Sequence, residues 1–186
     1  MRLPNTAHVS RPWRIHEIAP DFRLEDVWAL PTPGGPDDFP RLVRQFASAD
    51  PSRSLPGAAR ALWALRWKIG QLLGWDDEDD GVGSRVTTLR DRLPADLRDG
   101  GPDAPPFTCV YLLDDEWALE LANRTVHGVL HVGWVPDGNG GYRGQMAILV
   151  KRNGLLGAAY MRAIGPFRHL LVYPALMRLI GRDWPA

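Results

Sequence analysis

Cysteine, lysine and serine are all scarce in this sequence. One cysteine, Cys109, stands among 186 residues. No intramolecular disulfide can form, so folding does not require an oxidising compartment. Only Lys68 and Lys151 among the 22 basic residues are lysine. Net charge is missing as well, because 22 Lys and Arg balance 22 Asp and Glu. A dedicated nucleic-acid binder carries a basic excess, so no nucleic-acid partner is expected. Long apolar runs are absent too. The longest uncharged apolar stretches, 154–161 and 170–177, are too short to cross a bilayer. The first thirteen residues hold two arginines and no apolar segment, which is unlike a signal peptide. The expectation is a cytoplasmic protein without a transmembrane segment. With five serines there is no Gly-x-Ser-x-Gly elbow.

Cofactor and metal motifs fail in the same way. Asp76-Asp77-Glu78-Asp79-Asp80-Gly81 resembles the opening of a calcium loop, but the twelfth position, which needs a bidentate Glu, is Thr87. Gly138-Asn139-Gly140-Gly141 lacks the Lys-Ser/Thr of a phosphate loop and reads as a hairpin turn. No His/Cys cluster has zinc spacing. Neither a cofactor nor a metal is expected.

What is present suits one globular domain over residues 1–186, with 45% hydrophobic residues. Charge is unevenly spread. Residues 1–135 hold fifteen basic and twenty acidic side chains; residues 136–186 hold seven basic and two acidic. That places any anion site near the C-terminus, where an Arg-rich solvated helix face gives the same asymmetry. Arg14–Ile18 reads as a short strand. After Pro31-Thr32-Pro33-Gly34-Gly35-Pro36, Asp37 or Asp38 caps a helix to about Phe46. Residues 57–74 are strongly helical, with Trp63 and Trp67 an i,i+4 pair. A shorter helix follows, from Ser84 or Thr87 to Leu97, interrupted by Pro94.

At Phe107 the hydrophobic period becomes two. Segments 107–113, 116–122, 125–135 and 142–150 read as four antiparallel strands. A helical pattern then runs to about Ile180, with Pro166 and Pro174 kinking or dividing it. Helices, then a meander, then a C-terminal helix indicate an α+β fold.

A hairpin turning at Asn123-Arg124 predicts a register in which paired residue numbers sum to 247. One face then carries Trp117, Leu119, Leu121, Val126, Leu130, Val132 and Trp134. The other carries the pairs Glu120 with His127 and Glu116 with His131. The apolar face is the one the helices cover. The Glu/His face reads as the solvent side, since alternation alone explains it. A carboxylate can also orient an imidazole for acid/base work, which makes Glu120, His127 and His131 the catalytic candidates. Cys109 falls within a strand and reads as a buried structural thiol.

The run Tyr160-Met161-Arg162-Ala163-Ile164-Gly165-Pro166-Phe167-Arg168-His169-Leu170-Leu171-Val172-Tyr173-Pro174 resembles the hallmark of a bacterial domain family of unknown function. Residues 65–74 and 123–134 fit it too, and the resemblance covers about residues 20–182. That family is similar in fold to the START/polyketide-cyclase-like (SRPBCC, helix-grip) superfamily. Its members occur alone or fused to short-chain-dehydrogenase-like (NmrA-type) domains. The resemblance implies a curved antiparallel sheet wrapped on a long kinked C-terminal helix, here with an additional helical region before the meander. It implies no activity.

On this reading a small apolar or aromatic ligand sits between sheet and helix. Trp117, Leu119, Leu130 and Trp134 form the floor; Tyr160, Ile164, Phe167 and Tyr173 form the roof. Arg168 is the candidate to meet a carboxylate or phenolate. A filled core at these positions is the competing reading. The alternatives in function are a cyclase, dehydratase or isomerase, and a module that docks on a protein or membrane surface. The sequence carries no signal of oligomeric state.

Overall fold

A computed structural model describes residues 1–49, 82–83, 86–98, 100–123, 125–154 and 168–184. The chain opens with a two-residue strand, β1 (Arg2–Leu3), and two short helices, α1 (Thr6–Val9) and α2 (Arg14–Ile18). Arg14–Ile18 is thus a helical turn, where a strand was expected. Ile15 and Ile18 explain why: both are buried in one cluster, and residues three apart share a face only in a helix. The N-terminal strand lies further on, at β2 (Arg23–Ala29).

The helix expected after the proline-rich breaker is α3 (Phe39–Ser48), entered through a 3-10 turn at Pro36–Asp38. Phe39, Leu42 and Val43 form its buried face. The helix expected over 57–74 lies outside the described residues. The helix expected up to Leu97 is instead two 3-10 turns, Leu89–Arg92 and Ala95–Leu97, on either side of Pro94. The Thr88 hydroxyl caps the first by accepting from the Arg90 N–H.

The meander consists of β3 (Thr108–Leu112), β4 (Glu116–Ala122), β5 (Val126–Pro136) and β6 (Tyr142–Arg152). All pairings are antiparallel and the sheet order is β1-β2-β6-β5-β4-β3. The α+β class therefore holds. A long kinked C-terminal helix is not shown. The described helical residues there are a π turn at Arg168–Val172 and an 11-residue helix, α4 (Tyr173–Asp183). Pro174 lies in the first turn of α4, where its missing N–H breaks no bond, and the wider π turn before it accommodates the ring. Pro166 lies outside the described residues.

The β4–β5 register differs from the expected one by two residues. Ala122 pairs with His127 and Glu120 with Val129. The Asn123 side chain sets this. Its Oδ1 accepts from the Thr125 N–H, the Thr125 hydroxyl and the Val126 N–H, which holds 123–126 as the loop. A shift of two preserves side-chain parity, so each residue keeps its expected face. Trp28, Met146, Val132, Trp117 and Leu112 form one cross-sheet row on the apolar face; Asp26, Ile148, Leu130, Leu119 and Cys109 form the next. Phe39, Leu42 and Val43 of α3, with Tyr173 and Ile180 of α4 and Trp184 just beyond it, pack on that face.

The opposite face is not solvated, which corrects the expectation for Glu116, Glu120, His127 and His131. Trp13, Ile15, Ile18, Leu89 and Leu93 cover it and join Val110, Tyr111, Ala118, Val129, Ala147 and Leu149 in a second apolar cluster. Trp13 reaches the sheet only because position 133 is glycine: a Cβ there would stand 2.7 Å from its ring. We expect Gly133→Ala to destabilise the protein by about 1–3 kcal/mol through this overlap. Gly128→Ala in the same strand, whose Cβ would meet nothing closer than 3.8 Å, should cost far less. Urea unfolding of the two variants makes the comparison, and equal costs would remove Trp13 from its place on the sheet.

Candidate functional site

Two groups of polar side chains lie inside the fold, one on each face of the sheet. On the second face the expected Glu–His pairs form, across the diagonal of the ladder. His127 Nε2 lies 2.8 Å from Glu120 Oε2, and His131 Nε2 lies 2.8 Å from Glu116 Oε2. All four side chains are buried. Glu120 also accepts from the Thr88 hydroxyl and the Leu89 N–H, so it anchors the 3-10 turn. Glu116 accepts from the Tyr111 hydroxyl at 2.9 Å and the Arg14 N–H at 2.9 Å, which anchors α2. His131 Nδ1 lies 3.1 Å from His8 Nε2.

Burial, opposed by Glu116, pushes His131 below the ordinary imidazole value. Burial and the adjacent imidazoles of His131 and His16 push His8 down to about 2. Both rings are therefore neutral at pH 7. A carboxylate only accepts, so the His131 proton sits on Nε2, and His8 must donate its Nε2–H to His131 Nδ1. Burial works to raise Glu116 and Glu120, but the hydrogen bonds from His131 and His127 and from the hydroxyl and N–H donors outweigh it and hold both below the ordinary carboxylate value. Glu116, His131 and His8 form a hydrogen-bonded relay that ties α1, α2 and the sheet together.

The second group lies on the apolar face. Asp26, fully buried in β2, accepts from the Tyr173 hydroxyl at 3.1 Å through Oδ2. Its Oδ1 faces His169 Nε2 at 3.3 Å and Arg2 Nη2 at 3.4 Å. A buried carboxylate needs such partners, because desolvation alone costs several kcal/mol. Trp28, two residues on and on the same face, packs its ring 4.8 Å from Tyr173 and stacks at 6.5 Å with His169, centroid to centroid. The Trp28 indole N–H and His169 Nδ1 are buried with no hydrogen-bond partner among the described residues. The His169 side chain is 31% exposed and forms the open edge of the group.

The predicted ligand residues divide in three. Trp117, Leu119, Leu130 and Trp134 share the apolar face as expected and are buried in its packed cluster. Trp117 donates to Cys109 Sγ at 3.4 Å and Trp134 to the Gly35 carbonyl at 3.0 Å, so both indoles are already partnered. Tyr173 belongs to the Asp26 group. Tyr160, Ile164 and Phe167 lie outside the described residues, as does the side chain of Arg168. Sequence reasoning missed Asp26, Trp28 and His169. The available signal was a carboxylate and an indole two apart in Leu24-Glu25-Asp26-Val27-Trp28-Ala29-Leu30, which alternation puts on one face. Among the described residues no three His, Cys, Asp or Glu side chains are placed to hold a metal ion. No helix among them is long and apolar enough to cross a membrane. Cys109 is buried, and burial raises its thiol above the ordinary value.

The neutral histidines make stability depend on pH. Each binds a proton when unfolded below 6.5 and resists it when folded. Their contribution is complete above that value and is lost as pH falls below it, down to about 2 for His8. The two glutamates act in the same direction below 4.5. Between about pH 7 and about pH 5.5, the unfolding free energy should fall by about 1 kcal/mol through His8, and His131 adds to the fall in the same direction. Urea midpoints at the two pH values measure this; an unchanged midpoint would mean the imidazoles are solvated in the fold.

A family model described as a protein of unknown function (DUF2867) matches residues 18–175. No curated protein and no solved structure matches the chain.

Proposed function

The chain belongs to the DUF2867 family of proteins of unknown function, and from the chemistry of its apolar sheet face we propose that it binds a small apolar or aromatic molecule between that face and the C-terminal helical segment. One observation carries the reading. Of the tryptophans in the apolar-face cluster, Trp117, Trp134 and Trp184 give their indole N–H to Cys109, Gly35 and Pro33, whereas Trp28 gives its own to nothing among the described residues. A buried donor without an acceptor costs about 1–3 kcal/mol, and a ligand that supplies the acceptor recovers it. Trp28 stands beside Tyr173, His169 and Asp26, an aromatic wall with a few convergent polar groups, as small-molecule sites have. The ligand thus sits at the β2 end of the face. The row of Trp117, Leu119, Leu130 and Trp134 serves as packed support.

The helix-grip architecture of the START/polyketide-cyclase-like superfamily belongs to the same proposal, as do the fusion of relatives to short-chain-dehydrogenase-like domains and a cytoplasmic location. In favour of the fold are the pairing of β2 with the last strand, β6, and the packing of α4 on the apolar face. The enzyme reading finds its support at the same place. His169, 3.3 Å from Asp26, is the imidazole at the ligand's edge, whereas Glu120, His127 and His131 are buried under α2 and the 3-10 turn on the other side.

Titration with planar aromatics of two and three rings tests the proposal. The expected result is saturable binding at one site, a raised Tm, and about tenfold weaker binding by Tyr173→Leu that circular dichroism shows to be folded. Absence of saturable binding across the set would overturn it.

A further inference from the structure

On the opposite side of the sheet from that ligand, and independently of it, we propose that one internal water is bound between α1, Trp13 and β6, donating to His8 Nδ1 and Gln145 Oε1 and accepting from the Trp13 indole N–H. Three buried polar atoms without a partner among the described residues carry this. Their residues are shut off from solvent: His8 is 0% exposed, Gln145 3% and Trp13 4%. Neighbours fix the hydrogen-bonding sense of each atom. The indole nitrogen can only donate. Gln145 gives its Nε2 to the Ala7 carbonyl at 3.3 Å, so the other end of the amide is Oε1, which can only accept. His131 gives its Nε2–H to the Glu116 carboxylate and receives the His8 Nε2–H on Nδ1. His8 is neutral, so its Nδ1 is a lone pair that needs a donor.

The register brings the three residues together. Gly133 stands opposite Gln145 in the β5–β6 ladder, so the Gln145 side chain lies beside the place where Gly133 has none. The Trp13 ring fills that place. Its Cζ2, separated from Nε1 by a single carbon, lies 2.8 Å from where a Gly133 Cβ would stand. His8 closes the group from the α1 side. Its ring centroid is 6.2 Å from that of Trp13, and the residue before it, Ala7, holds the Gln145 amide. One donor and two acceptors remove other occupants. An anion or a carbonyl satisfies Trp13 and leaves both acceptors. A metal cation or an ammonium satisfies the acceptors and is faced by the Trp13 N–H. Water serves all three, and about three hydrogen bonds are usual for a buried water. Because every lining residue is buried, the occupant is solvent enclosed as the chain folds. The water makes the seat of α1 continuous, from β5 through His131 to β6 through Gln145.

A crystal structure of the wild-type chain, at a resolution that shows ordered waters, tests the proposal. The expected result is one density peak at about 2.7–3.2 Å from each of His8 Nδ1, Gln145 Oε1 and Trp13 Nε1. In solution, the resident water should give a nuclear Overhauser cross-peak to the Trp13 indole proton, a signal identified by its loss in Trp13→Phe. Gln145→Met, of similar length but without the acceptor, should lose that cross-peak. The wild-type measurements need no variant, so a variant that fails to fold leaves the test intact. A well-ordered site with no peak, or a peak that touches only one of the three atoms, would overturn the proposal. Persistence of the cross-peak at full intensity in folded Gln145→Met would do the same.

Discussion

The fold depends on two carboxylates that are taken out of water in the middle of a strand. Glu116 and Glu120 project from β4 into the second apolar cluster, and neither would be tolerable there alone. Each is met by a histidine from β5 and by a backbone N–H from outside the sheet, Arg14 for the one and Leu89 for the other. These hydrogen bonds do more than satisfy the charges. They dictate where α2 and the 3-10 turn sit, and those segments supply Ile15, Ile18, Leu89 and Leu93, which exclude water from the same face. Polar anchoring and apolar cover are therefore one arrangement, and removal of a carboxylate would unseat both.

The two faces consequently use their polar groups differently. On the second face the carboxylates and the turn amide are turned towards other parts of the chain, from the Asn123 turn through both Glu–His pairs. The apolar face is packed at its centre, where Trp117 and Trp134 are hydrogen-bonded inward. Its polarity is concentrated at the β2 end, around Asp26. The π turn of 168–172 brings His169 and Tyr173 to that end. Such wide turns are held at a cost in helical hydrogen bonding and occur often at functional positions.

The meander was legible from the sequence because alternation survives any even shift of register. The segments around 107–113, 116–122, 125–135 and 142–150 are strands, and Trp117, Leu119, Leu130 and Trp134 do share a face. The diagonal pairing of Glu120 with His127 was legible for the same reason. Burial of that pair was not, because a polar alternation looks the same under solvent as under a second layer. The layer itself was hidden: Ile15 and Ile18 read as part of a strand, and the Leu89 turn as part of a helix. The Asp26 group was missed because its members lie far apart in the chain. Arg168, with a full charge, drew attention away from His169 beside it, whose chemistry depends on a carboxylate more than a hundred residues earlier.

The pairing of β2 with β6 sets a condition on the order in which the chain can assemble. Arg23 is matched with Val150 and Ala29 with Gln145, so the first long strand has no neighbour in the sheet other than two-residue β1 until the last strand has left the ribosome. Until then β2 is without the strand that pairs with it, while the β3–β5 hairpins can already form from neighbours in sequence. A nascent chain of this protein therefore carries an exposed, strand-forming apolar segment for most of its synthesis, with Val27 and Trp28 on it. Arg23, Glu25 and Asp26 in the same strand are the charges that discourage it from pairing with a stranger.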